Sequence, residues 1–161
     1  MKISAGLCMY RTKNGKLEVL LVHPGGPFWK NKDDGVWSIP KGEADDGETD
    51  LLEVAKREFE EETGFKPEGE FKYLTSVKRR DGKIVEAWAF EGDFDLLKFK
   101  SNVIEIAWPP RSGKKMLILE CDRAEFFSFK EARKKIHTYQ IPILEIFVKM
   151  NSGFYWLNNY I

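Results

Sequence analysis

The stretch GEADDGETDLLEVAKREFEEETGF, residues 42–65, carries ten acidic side chains in twenty-four positions, four of them at Glu58, Glu60, Glu61 and Glu62. A chain of balanced charge does not need this for solubility. From Asp50 to Thr63 the apolar residues Leu51, Leu52, Ala55 and Phe59 return at helical spacing and share one face. Asp50 suits the N-cap, Glu53 completes a D-x-x-E box, and Gly64 stands where a C-terminal stop belongs. On the same helical wheel Glu58, Glu61 and Glu62 are spaced i, i+3, i+4 and fall within an arc of roughly 100°. Glu62 lies at the margin of the apolar face, where a carboxylate requires a cation or strong hydrogen bonds. Like charges at i,i+4 destabilise a helix by about 0.2–0.5 kcal/mol per pair. Helix spacing alone leaves two readings open. One is a solvated face held by Lys56–Glu60 and Arg57–Glu61 pairs. The other is a site for a hard divalent cation such as Mg2+, which prefers oxygen ligands and keeps waters and substrate phosphates in its shell.

Outward from this helix, ISAGLCMY (3–10) and LEVLLVH (17–23) predict two strands joined through RTKNG as a hairpin. PGGPFWKNKDDG (24–35) has no periodicity and reads as a long surface loop, and VWSIP (36–40) as a short strand. FKYLTSVKR and KIVEAWAFEG, separated by Arg80-Asp81-Gly82, predict a second hairpin. VIEIAW, MLILE and AEFFSF read as further strands, with PPRSGKK a loop. Ser128 and Glu131 form a capping box ahead of EARKKIH, and Pro142 suits the first turn of a last helix, IPILEIFVKM. Strands in hairpins with helices between them predict a mixed sheet covered by helices, an α+β fold. The terminal NSGFYWLNNYI is too aromatic for a free tail and is expected to pack on the domain or on a partner subunit.

The 161 residues suffice for one domain, 1–161, with a real core. Twenty-six basic and twenty-six acidic side chains cancel, which disfavours nucleic acid as the main ligand while leaving room for a local phosphate-binding patch. Cys8 and Cys121 are isolated, without metal-ligand spacing, and are expected to be reduced and buried in a cytoplasmic protein. No apolar run reaches membrane-spanning length, so no membrane association is expected.

Gly42, Glu48 and the run REFEEETGF, Arg57 to Phe65, resemble the Nudix box, G-x5-E-x7-R-E-U-x-E-E-x-G-U, where U is a bulky apolar residue. Eight residues instead of seven separate Glu48 from Arg57, and the insertion falls around the helix start, so it bears on Glu48 more than on Glu58, Glu61 and Glu62. The resemblance implies a Nudix-type α/β/α sandwich with a mixed sheet between helices. It implies hydrolysis of a nucleoside diphosphate linked to another moiety, with Mg2+ or Mn2+ held by Glu58, Glu61, Glu62 and the Gly42 carbonyl. Glu58 or Glu61 would accept the proton of the attacking water, and Arg57 would hold a carboxylate such as Glu48 or Glu61 in place. Glu120 is the candidate for one more acidic ligand, with Glu125 and Glu105 behind it.

Trp37-Ser38-Ile39-Pro40-Lys41-Gly42 is similar to the W-x-x-P-K-G segment of Nudix hydrolases acting on diadenosine polyphosphates. Lys41, Arg79 and Arg111 are then the candidate phosphate contacts, with Arg80, Lys114 and Lys115 as further cations. Trp37 is the candidate for stacking a base, alongside Trp29 and Trp88. His23 and His137 have no metal spacing and are expected to be structural or exposed. The expected partner is a small nucleotide, a dinucleoside polyphosphate or a nucleoside triphosphate among the candidates, bound by a monomer or a homodimer. A nucleotide-sensing module on the same fold, without turnover, is the alternative.

Overall fold

The structure, a computed structural model, describes residues 2–151. The NSGFYWLNNYI expectation therefore lies outside the described residues beyond Asn151. The first hairpin forms as the alternation predicts: β1 (Ile3–Lys13) and β2 (Lys16–Pro24) pair antiparallel. Their turn is Asn14-Gly15, both at positive φ (53° and 74°), the geometry in which the turn twists with the strands. β4 (Lys72–Lys78) and β5 (Ile84–Glu91) make the second antiparallel hairpin.

β5 lies parallel to β1, Leu7 opposite Trp88, and β8 (Cys121–Ser128) closes the far edge against β2, giving the order β4-β5-β1-β2-β8. The other edge of β1 is shared. Tyr10–Lys13 pairs with β2, whereas Ser4–Gly6 pairs with the short β3 (Lys41–Glu43). That division sets Gly42 beside the middle of the sheet. β6 (Val103–Ala107) and β7 (Lys115–Leu119) form a separate two-stranded ribbon.

Side chains alternate across β1 and β2, and each face has its own cover. Ala5, Leu7 and Met9, with Leu20, Val22 and Phe90, pack against Val54, Ala55 and Phe59 of α1 (Leu51–Thr63). Cys8, Val19, Leu21 and Ala89 pack on the opposite face against Ala132 of α2 (Phe129–Lys135) and Ile143, Leu144 and Phe147 of α3 (Ile141–Asn151). Each fully buried Leu or Phe in these layers contributes about 1.5–3 kcal/mol relative to exposure. The result is the expected mixed sheet between helices. Both cysteines are free and buried. Among the described residues no helix is long and apolar enough to cross a membrane.

VWSIP is not a strand. Its residues make isolated bridges to two different partners, Ser38 to Val22 and Trp37 to Ile136, because the buried Trp37 and Ile39 anchor an irregular crossing through the core and Pro40 has no N–H to extend a ladder. The second bridge also ends α2 at Lys135, short of His137. The strand of this region, β3, instead begins at Lys41 and runs into the acidic stretch.

Candidate active site

Helix α1 sets the carboxylates. The Asp50 side chain accepts from the Glu53 N–H, and Gly64 closes the helix in the left-handed conformation at φ 76°. Between these caps Glu58 and Glu62 turn toward the sheet and are 7% and 6% exposed. Glu58 lies directly over Gly42, where a β-carbon would overlap its carboxylate. A side chain at position 42 would therefore displace the Glu58 carboxylate from its place.

Arg57 organises the acidic residues. Its Nε and Nη2 donate to the two oxygens of Glu48 at 3.0 and 2.9 Å, and its Nη1 donates to Glu58 at 2.8 Å and Glu61 at 3.1 Å. Eight residues after Glu48, Arg57 still meets it. Glu48 also accepts the Asp45 N–H at 2.7 Å. The Arg57 fork and this backbone bond hold the Glu48 carboxyl below its ordinary range. Lys56 pairs with Glu53 instead of Glu60.

The inner carboxylates behave oppositely. Burial first, then the neighbouring Glu61 charge, pushes Glu58 up to about 7 against the pull of Arg57. Burial pushes Glu62 up to about 8, with the charges of Glu120 and Glu58 adding to it and Lys41 opposing. Glu62 accepts the Lys41 N–H at 3.3 Å, and its charge helps to hold the buried Cys121 thiol well above its ordinary range. Glu120 therefore comes from the end of β7 to within electrostatic reach of both, its side chain accepting from Asn102 Nδ2 at 3.3 Å. Glu61 and Glu62 are consecutive, about 100° apart on the helix: Glu61 stays on the Arg57 side, Glu62 faces inward and Glu58 lies between.

Among the described residues no three of His, Cys, Asp and Glu are drawn closely enough to hold a metal ion as they stand. The chemistry of the donors nevertheless fits a hard cation. Glu58, Glu62 and Glu120 are oxygen donors; burial first, with neighbouring acidic charges adding to it, keeps Glu58 and Glu62 from ionising freely, and a divalent ion held by them would offset that cost.

Glu62 and Glu120 line a cavity of about 810 Å3. Lys41, Arg79 and Arg80 line it too, as do Trp29, His137 and Tyr139. Trp37 and Arg111 are not on its wall, nor are Trp88, Lys114 and Lys115. Trp37 is 1% exposed, donates its Nε1–H to Asp33 at 2.8 Å and packs edge-on against His23 and Phe127, so no ring face is left for a base. Arg111 is exposed in the connection between β6 and β7, a position its motif alone could not place. Three residues carried no sequence signal. Cys121 is isolated in sequence, and His137 and Tyr139 sit in a turn without periodicity, which the bridge from Ile136 to Trp37 and the bonds of Gln140 to Ser38 and Ile39 bring to the cavity.

Residues 1–145 match the family model described as the NUDIX domain. Among solved structures, the C. elegans Ap4A hydrolase in a binary complex is similar at a TM-score of 0.63 and 24% identity, over 96% of this chain and 100% of that one. The NUDIX domain of Shewanella oneidensis NrtR complexed with ADP ribose is similar at 0.65 and 14%, over 93% and 88%. The MutT protein from Methanosarcina mazei Go1 is similar at 0.59 and 21%, over 94% and 96%. At these identities the likeness establishes the fold. No curated protein sequence matches the chain.

Proposed function

The chain belongs to the NUDIX domain family, and from that premise we propose that it is a metal-dependent pyrophosphohydrolase, cleaving the diphosphate linkage of a nucleoside diphosphate derivative by attack of water on phosphorus. The observation that carries this reading is the pair of buried carboxylates, Glu58 and Glu62, within electrostatic reach of Glu120, with Glu62 and Glu120 lining a cavity that Lys41 and Arg79 also line. A merely structural helix face gains nothing from burying two acids against a third.

In this reading Glu58, Glu61, Glu62, Glu120 and the Gly42 carbonyl hold Mg2+ or Mn2+. The ion, when bound, offsets charge on the phosphate oxygens and acidifies the attacking water. Arg57 fixes the directions of Glu58 and Glu61 through one nitrogen while its other two lock onto Glu48. Glu58 is the first candidate to accept the proton of the attacking water, and Glu61 is the second. Lys41 and Arg79 draw the phosphate chain across the cavity toward Glu62.

The fold likenesses include a named Ap4A hydrolase and a domain holding ADP ribose. Both support a nucleotide ligand, and dinucleoside polyphosphates and nucleoside triphosphates lead the candidates. The deciding experiment is a panel of nucleoside diphosphate derivatives with Mg2+ or Mn2+, scored for released phosphate-containing products. Turnover of at least one member, lost on chelation, is expected. Tight binding without turnover of any member would replace the enzyme with a nucleotide-sensing module.

A further inference from the structure

The last carbonyls of an α-helix have no partner within it. At the end of α1 the Gly64 N–H serves the Glu60 carbonyl, and two further donors come from far down the chain. The Asn102 N–H donates to the Glu61 carbonyl at 2.8 Å, and the Lys100 N–H to the Thr63 carbonyl at 3.0 Å. Gly64 admits this segment, since a β-carbon there would stand 2.8 Å from the Lys100 carbonyl oxygen. Residues 100–102 thus finish the helix that carries the carboxylates.

The same segment holds Glu120, which lies between β7 and β8 and outside both. The Glu120 N–H donates to the Asn102 carbonyl at 3.0 Å, and the Glu120 carbonyl accepts the Gly25 N–H at 2.9 Å. The next residue is tied as well, the Cys121 N–H donating to the hydroxyl of the buried Ser101 at 2.9 Å. Asn102 then reaches the side chain: its Nδ2 donates to Glu120 Oε1 at 3.3 Å. A carboxylate only accepts, so the amide nitrogen must be the atom that faces it, and Oδ1 is left toward the Ser101 hydroxyl at 3.4 Å. The charge of Glu120 repels that of Glu62, so a carboxylate on a separate segment stays beside the helix only if something holds it there.

Resting on the metal-dependent reading above, we propose that Asn102 is the positioning residue for Glu120: its amide orients the carboxylate and its backbone fixes that residue to the last turn of α1, so that the distant ligand is in place before a cation arrives. Residues that orient a ligand in this way typically cost about 10–100-fold in metal affinity or activity when removed.

Mn2+ binding to the full chain, followed by loss of the free ion's electron paramagnetic resonance signal with no nucleotide present, tests this apart from turnover. Asn102→Ala keeps the backbone bonds and removes only the amide; it is expected to weaken Mn2+ about tenfold, with the melting temperature in chelator near the parent's. Asn102→Ser, whose hydroxyl is too short to reach Glu120, should do the same and serves where alanine disturbs the helix end. In a Glu120→Ala background the change at Asn102 should alter affinity by less than about twofold, because it acts through that carboxylate. Parental affinity in both Asn102 variants, or the full loss repeated on top of Glu120→Ala, would overturn the positioning role. A parent that binds no Mn2+, or a Glu120→Ala protein at parental affinity, would remove Glu120 from the metal set and the role with it. The hydrolase reading fails separately: the expected affinities with no turnover of any diphosphate keep Asn102 in its role and remove the enzyme, while turnover with both Asn102 variants at parental affinity does the reverse.

Discussion

The acidic site and the aromatic lining of the cavity beside it are built in opposite ways. Glu58, Glu62 and Gly42 come from one continuous stretch, and Glu120 joins Glu62 from a distance. The aromatic lining draws on Trp29, Arg79 and the His137–Tyr139 turn, which are far apart in the chain. The difference follows from what each must do. Charges that converge on a small cation need spacing set to a fraction of an ångström, and a single helix provides it through its own backbone period. A cavity lining needs only a firm backing, which loops provide once buried polar bonds hold them.

The largest expected effect breaks the acidic site. Glu58→Gln should lower turnover by on the order of 10²-fold or more with the fold retained, since the amide keeps the shape and loses the charge. Gly42→Ala should do the same without touching a carboxylate, because its β-carbon takes the place of the Glu58 oxygens. Steady-state rates decide it, and a Gly42→Ala protein at parental rates would detach Glu58 from the chemistry. In contrast, Trp29→Ala in the cavity lining should act mainly on KM.

Next in size is Arg57→Lys. A lysine keeps the charge but cannot bind both Glu48 oxygens while reaching Glu58 and Glu61, so turnover should fall by about 10–100-fold. Recovery to within twofold of the parent would mean that charge alone, not the guanidinium fork, serves the site.

The smallest effect is on stability and sharpens the contrast in charge. Glu62 rises from its ordinary 4.5 to about 8 in the folded protein and Glu58 to about 7, chiefly by burial. The folded state thus binds more protons than the unfolded one between 4.5 and about 8. Stability from this pair is complete below the lower value and is lost as pH rises through the upper one. Melting temperatures of chelator-treated protein should decline across that window, and Mg2+ should flatten the decline by favouring the ionised carboxylates. Glu62→Gln should flatten it without metal. Glu48, Glu43 and Asp33, all held below their ordinary range, act with the opposite sign and only on the acid side. A parent whose melting temperature is indifferent to pH from 5 to 8 would place Glu62 in contact with water instead of the interior.

Much of this was legible in the linear chain wherever the interactions are local. The Asp50 cap, the Gly64 stop, the period of Leu51, Ala55 and Phe59 and the shared edge of Glu58 and Glu62 follow from helix geometry, which needs no knowledge of the rest of the molecule. The alternation of β1 and β2 likewise predicts two buried faces, and with them a sheet between helices. The family resemblance rested on the same local run. What the tertiary structure alone decided are the meetings across long separations: β5 beside β1 in parallel, Glu120 beside Glu62, Trp37 turned into the core while Trp29 faces the cavity. A tryptophan's composition does not state which side of a crossing it will occupy, because burial depends on what the other segments leave unfilled. Local spacing determined the charges that a cation would need, and only the packing of distant segments determined the space beside them.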